Sequence, residues 1–419
     1  MKNILKTTDY DIAIVGGGAA GTMAAIRASQ FNKNIVLIER NASIGRKILI
    51  TGGGRCNLTN TAPIDTFIEK FEKQGNFLKT AFYRFSNKDL MAFFESKGLK
   101  LKSEPEGRVF PVTDKARSIT EILQKCLEKA RVNVRYNTAL SDIRKKSGLF
   151  ELSLSGGKKI CSKKVILATG GLSYEETGSR GDGFRLAKGL GHTVMPLKAA
   201  LVPLRTKETW VRELQGLSLN NIRITLLTDS KKIVSDIGEL IFTHFGVSGP
   251  LVLDLSGKAV TLLSQGKEVR LFIDLKHDLN MVKLETSLLN EFKAKGGLQL
   301  STVMQGLLPK RMALAFMHLV NLEPAQKANQ VTKEERQAII HMLKALPLTI
   351  EGALSIKEGM VTNGGISTKE IDPGTMESKL LPGLYFAGEI IDGAAPSGGY
   401  NLQQAFSTGF LAGEEAARA

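Results

Sequence analysis

Cysteine, histidine, tryptophan and long apolar runs are all scarce in this chain. The three cysteines, Cys56, Cys126 and Cys161, stand far apart with no C-x-x-C, which excludes a sequence-local redox dithiol or cysteine zinc site. Five histidines show no H-E-x-x-H spacing, so no metal is expected. The apolar runs fall well short of the roughly 18 residues that a membrane helix needs, and no membrane association is expected. The opening MKNILKTTDYDIAIVGG starts basic but lacks an apolar stretch followed by a small-residue cleavage site. It reads as a first strand and not as a signal peptide, which points to a cytoplasmic protein. Neither an internal repeat nor a low-complexity tail is visible.

What is present fits a soluble globular chain of two or three domains: 419 residues, 42% hydrophobic and 23% charged. The charge is one-sided. A formal net charge of +16 favours polyanionic partners and speeds their encounter. Membership of a lineage with generally basic proteins would give the same value.

Glycine is abundant and ordered. YDIAIV at 10–15 is apolar and β-branched, and Gly16, Gly18 and Gly21 follow as G-x-G-x-x-G, with Ala19 and Ala20 between them. TMAAIRASQF has helical composition, and NIVLIE at 34–39 ends a second strand in Glu39, with Arg40 beside it. Strand, glycine turn, helix and acid-tipped strand make a dinucleotide-binding βαβ unit. Its glycines let the backbone approach a pyrophosphate at a helix N-terminus. Glu39 suits a free ribose 2′-hydroxyl and would repel a 2′-phosphate, which indicates FAD or NAD rather than NADP in this site. No second G-x-G-x-x-G follows a strand. Gly178, Gly181 and Gly183 are spaced differently, so a nicotinamide nucleotide, NADH or NADPH, is expected to bind only transiently, in an open cleft.

Later stretches extend the α/β pattern. VNVRYNTALSDI (132–143), KKVILATGG (163–171) and GLYFAGEIID (383–392) read as strands, and GGYNLQQAFSTGFLAGEEAA reads as a glycine turn entering a helix. Between them lie β-like runs, LVPLRT, IRITLLT, KIVSDIGELIFT and EVRLFIDL, and then helical patterns across 279–345. The first and last parts read as one α/β domain split by a long insert, whose β-like runs suggest a small antiparallel sheet or barrel.

The motifs IVGGGAAG, GRKILITGGGRCNLTN (45–60), EGRVFPVTDKA (106–116), ATGGLSYEETGSRGDGF (168–184), GELIFTHFGVSGP (238–250) and the long run 360–409 resemble those of the HI0933-like or bile-acid-reductase-like NAD(P)/FAD-dependent oxidoreductases, almost from end to end. The resemblance implies an α/β fold class, a Rossmann-type FAD-binding domain (1–195 and 355–419) interrupted by a β-barrel-like domain (196–278 and 346–354) that carries a helical insert (279–345). It also implies that Gly16, Gly18 and Gly21 cradle the FAD pyrophosphate, that Glu39 holds the adenosine ribose and that Leu140 offers its backbone to the adenine. It implies further that Thr169 and Gly170 pass near the cofactor and that Gly388, Glu389 and Asp392 approach the ribityl chain. The helix starting near Gly399, Tyr400 and Asn401 would then stabilise negative charge on the flavin.

In GRKILITGGGRCNLTN, bare glycines at Gly52, Gly53 and Gly54 would let the chain cross the flavin face. Arg46 and Lys47 would meet the phosphates or ribityl, and Arg55, Cys56 and Asn57 the substrate. Cys56 is a candidate proton donor, its pKa drawn down by Arg55, or a small buried packing residue. His244 is the rival donor. Three functions compete: reduction of a uridine of large-subunit ribosomal RNA to dihydrouridine, as linked to some relatives; small-molecule oxidoreduction of ene-reductase or amine-oxidase type; and flavin binding without catalysis. RNA contact is expected from the bases of the helical insert, among them Lys283, Lys293, Lys310 and Arg311.

Overall fold

The computed structural model describes residues 8–229 and 231–418. Packing divides the chain into two units, Met1–Ala199 with Ile356–Ala419, and Ala200–Ser355. Each has its own hydrophobic core.

The first unit is Rossmann-type α/β. Strand β1 (Tyr10–Val15) pairs in parallel with β2 (Ile35–Ile38) on one side and with a long central strand, Lys159–Leu167, on the other. Strand Asn133–Arg135 extends the sheet beyond β2, and the short C-terminal strand Leu384–Phe386 adds to the end of the central strand. β1 and β2 carry near-continuous apolar side chains because both faces of the sheet are covered. Helix α1 (Ala19–Ser29) packs against the C-terminal helix Tyr400–Arg418, and glycine sets how closely. A Cβ on Gly409 would lie 2.2 Å from the Ala20 carbonyl oxygen, and one on Gly413 would lie 2.4 Å from that of Ala24. Small residues at these crossings hold α1 rigidly over the sheet, which fixes the helix end that faces the cleft.

Between β2 and Asn133 the chain makes an excursion that the sequence pattern did not signal. It holds a three-stranded antiparallel sheet and the helices Ile64–Lys70, Gly75–Arg84, Asn87–Glu95 and Ala116–Lys129.

The second unit contains a closed six-stranded barrel. In order round the barrel, its strands are Leu204–Thr206, Gly246–Ser248, Lys231–Thr243, Ser218–Thr228, Val269–Asp274 and Leu346–Ala353, all pairing antiparallel. Closure depends on Leu346–Ala353, a strand separated from the others by the helices Met281–Ala294, Leu300–Gln305, Lys310–Leu319 and Lys333–Lys344. These helices share one apolar core with the barrel. A further helix, Pro250–Ser264, lies inside the span expected to be β. Its Leu/Val-rich sequence resembles a strand run, but Pro250 at its first turn and 15 residues without a break specify a helix.

Candidate functional site

The first unit carries a deep cleft of about 1330 Å³, including the open space at its mouth. It crosses the carboxyl ends of the parallel strands, where α/β sheets place their ligands. The glycine turn after β1 forms its floor. Gly16 has φ +106° and packs so tightly that a Cβ would meet the Ala168 carbonyl at 2.4 Å. At Gly21 a Cβ would lie 1.9 Å from the Gly16 carbonyl oxygen, so this glycine serves helix–strand contact and does not line the cleft. Gly18 differs, because a Cβ there would meet nothing within 4 Å and would project into open space. As N-cap of α1, Gly18 has no side chain to take up the free N–H groups of the first turn. Ala19 and Ala20 line the same wall. An uncapped helix end over open space, with an acid on the neighbouring strand, fits a dinucleotide diphosphate.

Glu39, at the end of β2, is buried, and its carboxylate is fixed. It accepts from the Gly17 N–H at 2.6 Å and from the Asn41 backbone and side-chain N–H groups at 2.8 and 2.7 Å. Leu140 lines the cleft beside Thr138 and Ala139. Arg40 also lines it, but its guanidinium pairs with Asp182, while the Asn41 amide donates to the Thr177 carbonyl at 3.0 Å. The segment 177–182 thereby closes one wall, a feature missed in the sequence. Its signal was Gly178 and Gly181, both at positive φ, which mark a tight turn rather than a second nucleotide motif.

At the other end, Gly388 and Glu389 follow the C-terminal strand and line the cleft, as do Thr169, Gly170 and Asn401. The Gly388 N–H donates to the Thr408 hydroxyl at 2.9 Å, and a Cβ added to Gly388 would lie 2.8 Å from the Ala20 Cβ. The Thr169 hydroxyl is buried without a hydrogen-bond partner among the described residues. Asn401 braces the preceding loop through the Ala395 N–H and carbonyl at 2.9 and 2.8 Å.

Lys47 is held by Glu389 at 2.8 Å and donates to the Ser173 hydroxyl at 2.6 Å. Glu389 also accepts from Ser173 at 2.9 Å and from the Thr362 N–H at 2.8 Å. Burial alone would raise the Glu389 carboxyl, but the Lys47 charge, with these hydrogen bonds, holds it below the usual range. Arg46 lines the cleft with its guanidinium on the Asn41 side-chain oxygen at 3.2 Å and has no carboxylate partner among the described residues.

Several expected contacts are not made. Cys56 lies in the main core at 0% exposure. Burial pushes its thiol up to about 12, against a smaller lowering by the Thr51 hydrogen bond. Arg55 does not activate it, because Arg55 is engaged by Glu104 and Asp114 and stacks over Phe110 at 4.2 Å. Gly52, Gly53 and Gly54 are exposed, at φ +56°, +65° and +87°, and do not line the cleft, although neighbouring Thr51 does. The glycines serve a left-handed turn that tucks the cysteine inward. Asn57, with its amide oriented to satisfy both ends, bridges the Thr59 carbonyl and the Gly399 N–H.

Three residues near the C-terminus also lie outside the cleft lining. Gly399 abuts Thr59 and is not a cleft residue. Tyr400 turns into a separate aromatic cluster, edge-on to Phe67 at 4.9 Å. Asp392 is not among the lining residues and accepts from the Gln74 amide at 2.6 Å, with its carboxyl raised by burial. In the second unit, His244 is exposed in the turn after strand Lys231–Thr243, edge-on to Phe245 at 4.9 Å.

Fold and cleft together define an FAD-dependent oxidoreductase built on a Rossmann-type domain. The chain belongs to the HI0933-like protein Rossmann domain family, which it matches over residues 10–415. It is similar to the 3-dehydro-bile acid delta(4,6)-reductase of Clostridium scindens, at 31% identity over 97% of this chain and 98% of that protein. It is as similar to the ribosomal RNA dihydrouridine synthase of Escherichia coli K12, at 31% identity and the same coverage. Among solved structures it resembles the open form of a flavocytochrome c3 fumarate reductase (TM-score 0.54, 17% identity, 98% of this chain and 78% of that one). It also resembles a 3-ketosteroid-delta4-(5alpha)-dehydrogenase from Rhodococcus jostii RHA1 (TM-score 0.51, 15% identity, 99% of each chain). At those identities the likeness is one of fold.

Proposed function

We propose that this protein takes electrons from NADH or NADPH and saturates a carbon–carbon double bond, with a uridine of large-subunit ribosomal RNA as the substrate. Bound FAD would supply the hydride chemistry, accepting from the nicotinamide and delivering to an alkene carbon conjugated with a carbonyl. The observation carrying this reading is the cleft itself, an uncapped helix end and a fixed acid on one unit. Both relatives' names describe the saturation of a double bond.

In this reading Gly16, Gly18 and the first turn of α1 receive the diphosphate, and Arg46, free of any carboxylate among the described residues, neutralises it. Glu39 accepts from the ribose with the oxygen capacity left beyond its three N–H donors. Leu140 and Thr138 border the adenine. Gly388, Asn401 and Thr169 border the redox end, where the N-terminus of the C-terminal helix favours negative charge. The second alkene carbon needs a proton. With Cys56 buried and its thiol near 12, water entering the open cleft is the donor in this reading.

The net charge of +16 favours RNA over a neutral small molecule. The small-molecule reading is supported by the bile-acid reductase, which is as similar as the RNA enzyme. Mapping dihydrouridine in ribosomal RNA from cells with and without the gene separates the two. One uridine should lose the modification when the gene is absent, and an unchanged map would sink the RNA assignment.

A further inference from the structure

We infer that Lys47 and Glu389 form a matched charge pair whose role is to set the reduction potential of the bound cofactor. The inference rests on the FAD reading and concerns the redox end of that cleft. The cleft crosses strand ends in the order β2, β1, Lys159–Leu167, Leu384–Phe386. At a strand spacing of about 4.8 Å the outer two are roughly 14 Å apart. Glu39 closes β2 and marks the adenosine end, so the redox end extends toward the strand that Glu389 follows.

Lys47 reaches Glu389 from the segment after Gly45, which is itself tied to the turn by its N–H to the Gly17 carbonyl at 2.8 Å. Both side chains line the cleft, and their atoms meet at 2.8 Å. Ser173 bonds to both, and the Thr362 N–H fixes the carboxylate from behind. The Thr362 hydroxyl in turn accepts from the Leu172 N–H at 2.8 Å. Four chain segments therefore hold one lysine and one glutamate in a single geometry. A diphosphate clamp would leave the ammonium free, as Arg46 is left, and a surface pair would not be supported this way.

The charge sum at this end of the cleft is zero. The two-electron-reduced cofactor carries more negative charge than the oxidised one. An unbalanced lysine would therefore favour the reduced form and weaken it as a reductant, and an unbalanced glutamate would do the reverse. Compensation leaves the reduced cofactor a strong hydride donor, as saturating a conjugated ring double bond requires.

The test is the midpoint potential of the purified holoenzyme, read spectroelectrochemically for the parent, Glu389→Gln, Lys47→Met and the double variant. Glu389→Gln should raise the midpoint and Lys47→Met should lower it, each by about a tenfold change in the equilibrium, or ~30 mV for a two-electron couple. The double variant should return close to the parent. A pair that served packing alone would weaken FAD retention without opposite shifts. Shifts of the same sign, or none, overturn the inference. If Lys47→Met loses FAD, Glu389→Gln decides alone, and a midpoint at or below the parent's refutes the charge role. A parent that binds no FAD would instead overturn the cofactor reading itself.

Discussion

Gly18 and Gly21 are three residues apart in one motif, yet they answer to different constraints. Gly18 has φ −77°, a conformation open to any residue, and faces empty cleft, whereas Gly21 abuts the Gly16 carbonyl. Gly18→Val should therefore leave the apoprotein's thermal midpoint within about 2 °C of the parent, as befits a substitution that touches nothing. It should abolish the yellow colour and any reconstitution with FAD. A Gly18→Val protein that kept FAD would contradict the placement of the diphosphate. The motif was legible because its spacing is local, but the division of labour within it was not, since that depends on Ala168 and Gly16 meeting across the sheet. Of the two readings of Cys56, burial favours packing, for a related reason. Its adjacency to Arg55 and a glycine run suggested a reactive thiol, but φ +63° at Cys56 turns the side chain into the core and leaves Arg55 to Glu104 and Asp114. Cys56→Ala should lower stability by about 1–2 kcal/mol in urea titration, the loss of a small buried side chain. Holoenzyme reduction by the nicotinamide and turnover of substrate should persist. Turnover abolished with FAD still bound would restore the thiol as the acid.

The C-terminal helix joins elements far apart in sequence, and its one buried acid shows how. Glu414 has no exposed side-chain surface and meets Arg27 of α1, Arg84 of the helix Gly75–Arg84 and Arg418 of its own last turn. Burial would raise its carboxyl, but the hydrogen bonds from Arg84 and Arg27 win and hold it at about 2. Because the folded value lies below the ordinary 4.5, the stabilisation is complete above pH 4.5. It is lost as pH falls from there through about 2. Linkage puts it at ~3 kcal/mol. Glu414→Gln should lower the unfolding free energy by about that much at pH 7 and flatten its fall between pH 5 and 3. An identical acid profile in the variant would remove Glu414 from the account. Elements like β1, α1 and β2 could be read from sequence because strand, turn and helix are contiguous. The return of 346–354 to the barrel followed from the family resemblance and not from a local pattern, because Leu346–Ala353 pairs with Leu204–Thr206 across more than a hundred residues. The wall 177–182 was hidden likewise, since Arg40–Asp182 is a contact at long range.

Charge distribution has to be judged over the whole molecule, because +16 says nothing of where it lies. The unit Ala200–Ser355 holds 19 Lys and Arg against 15 Asp and Glu, and subtracting these from totals of 57 and 41 leaves 38 against 26 for the other unit. The excess is thus +4 in the unit with the barrel and helices and +12 in the unit with the cleft. The helical insert, 279–345, holds nine Lys and Arg against five Asp and Glu, which is the whole excess of its unit but a third of that in the unit with the cleft, and two of its bases are paired, Arg336 by Glu285 and Lys295 by Glu291. Exposed lysines of the cofactor unit, such as Lys146, Lys158 and Lys159, are better placed to neutralise phosphate. If the substrate is ribosomal RNA, the logarithm of the binding constant should fall linearly with the logarithm of salt concentration, by ~0.7 per phosphate neutralised on a single strand. Replacing Lys146, Lys158 and Lys159 together with glutamine should reduce that slope by up to ~2. The same change at Lys283, Lys293 and Lys310 should reduce it less. Filter binding of a ribosomal RNA fragment between 50 and 200 mM salt, about the range over which such contacts are resolved, reads both. A parent slope near zero would argue that the positive field serves no RNA, and would return the cleft to a small, uncharged substrate.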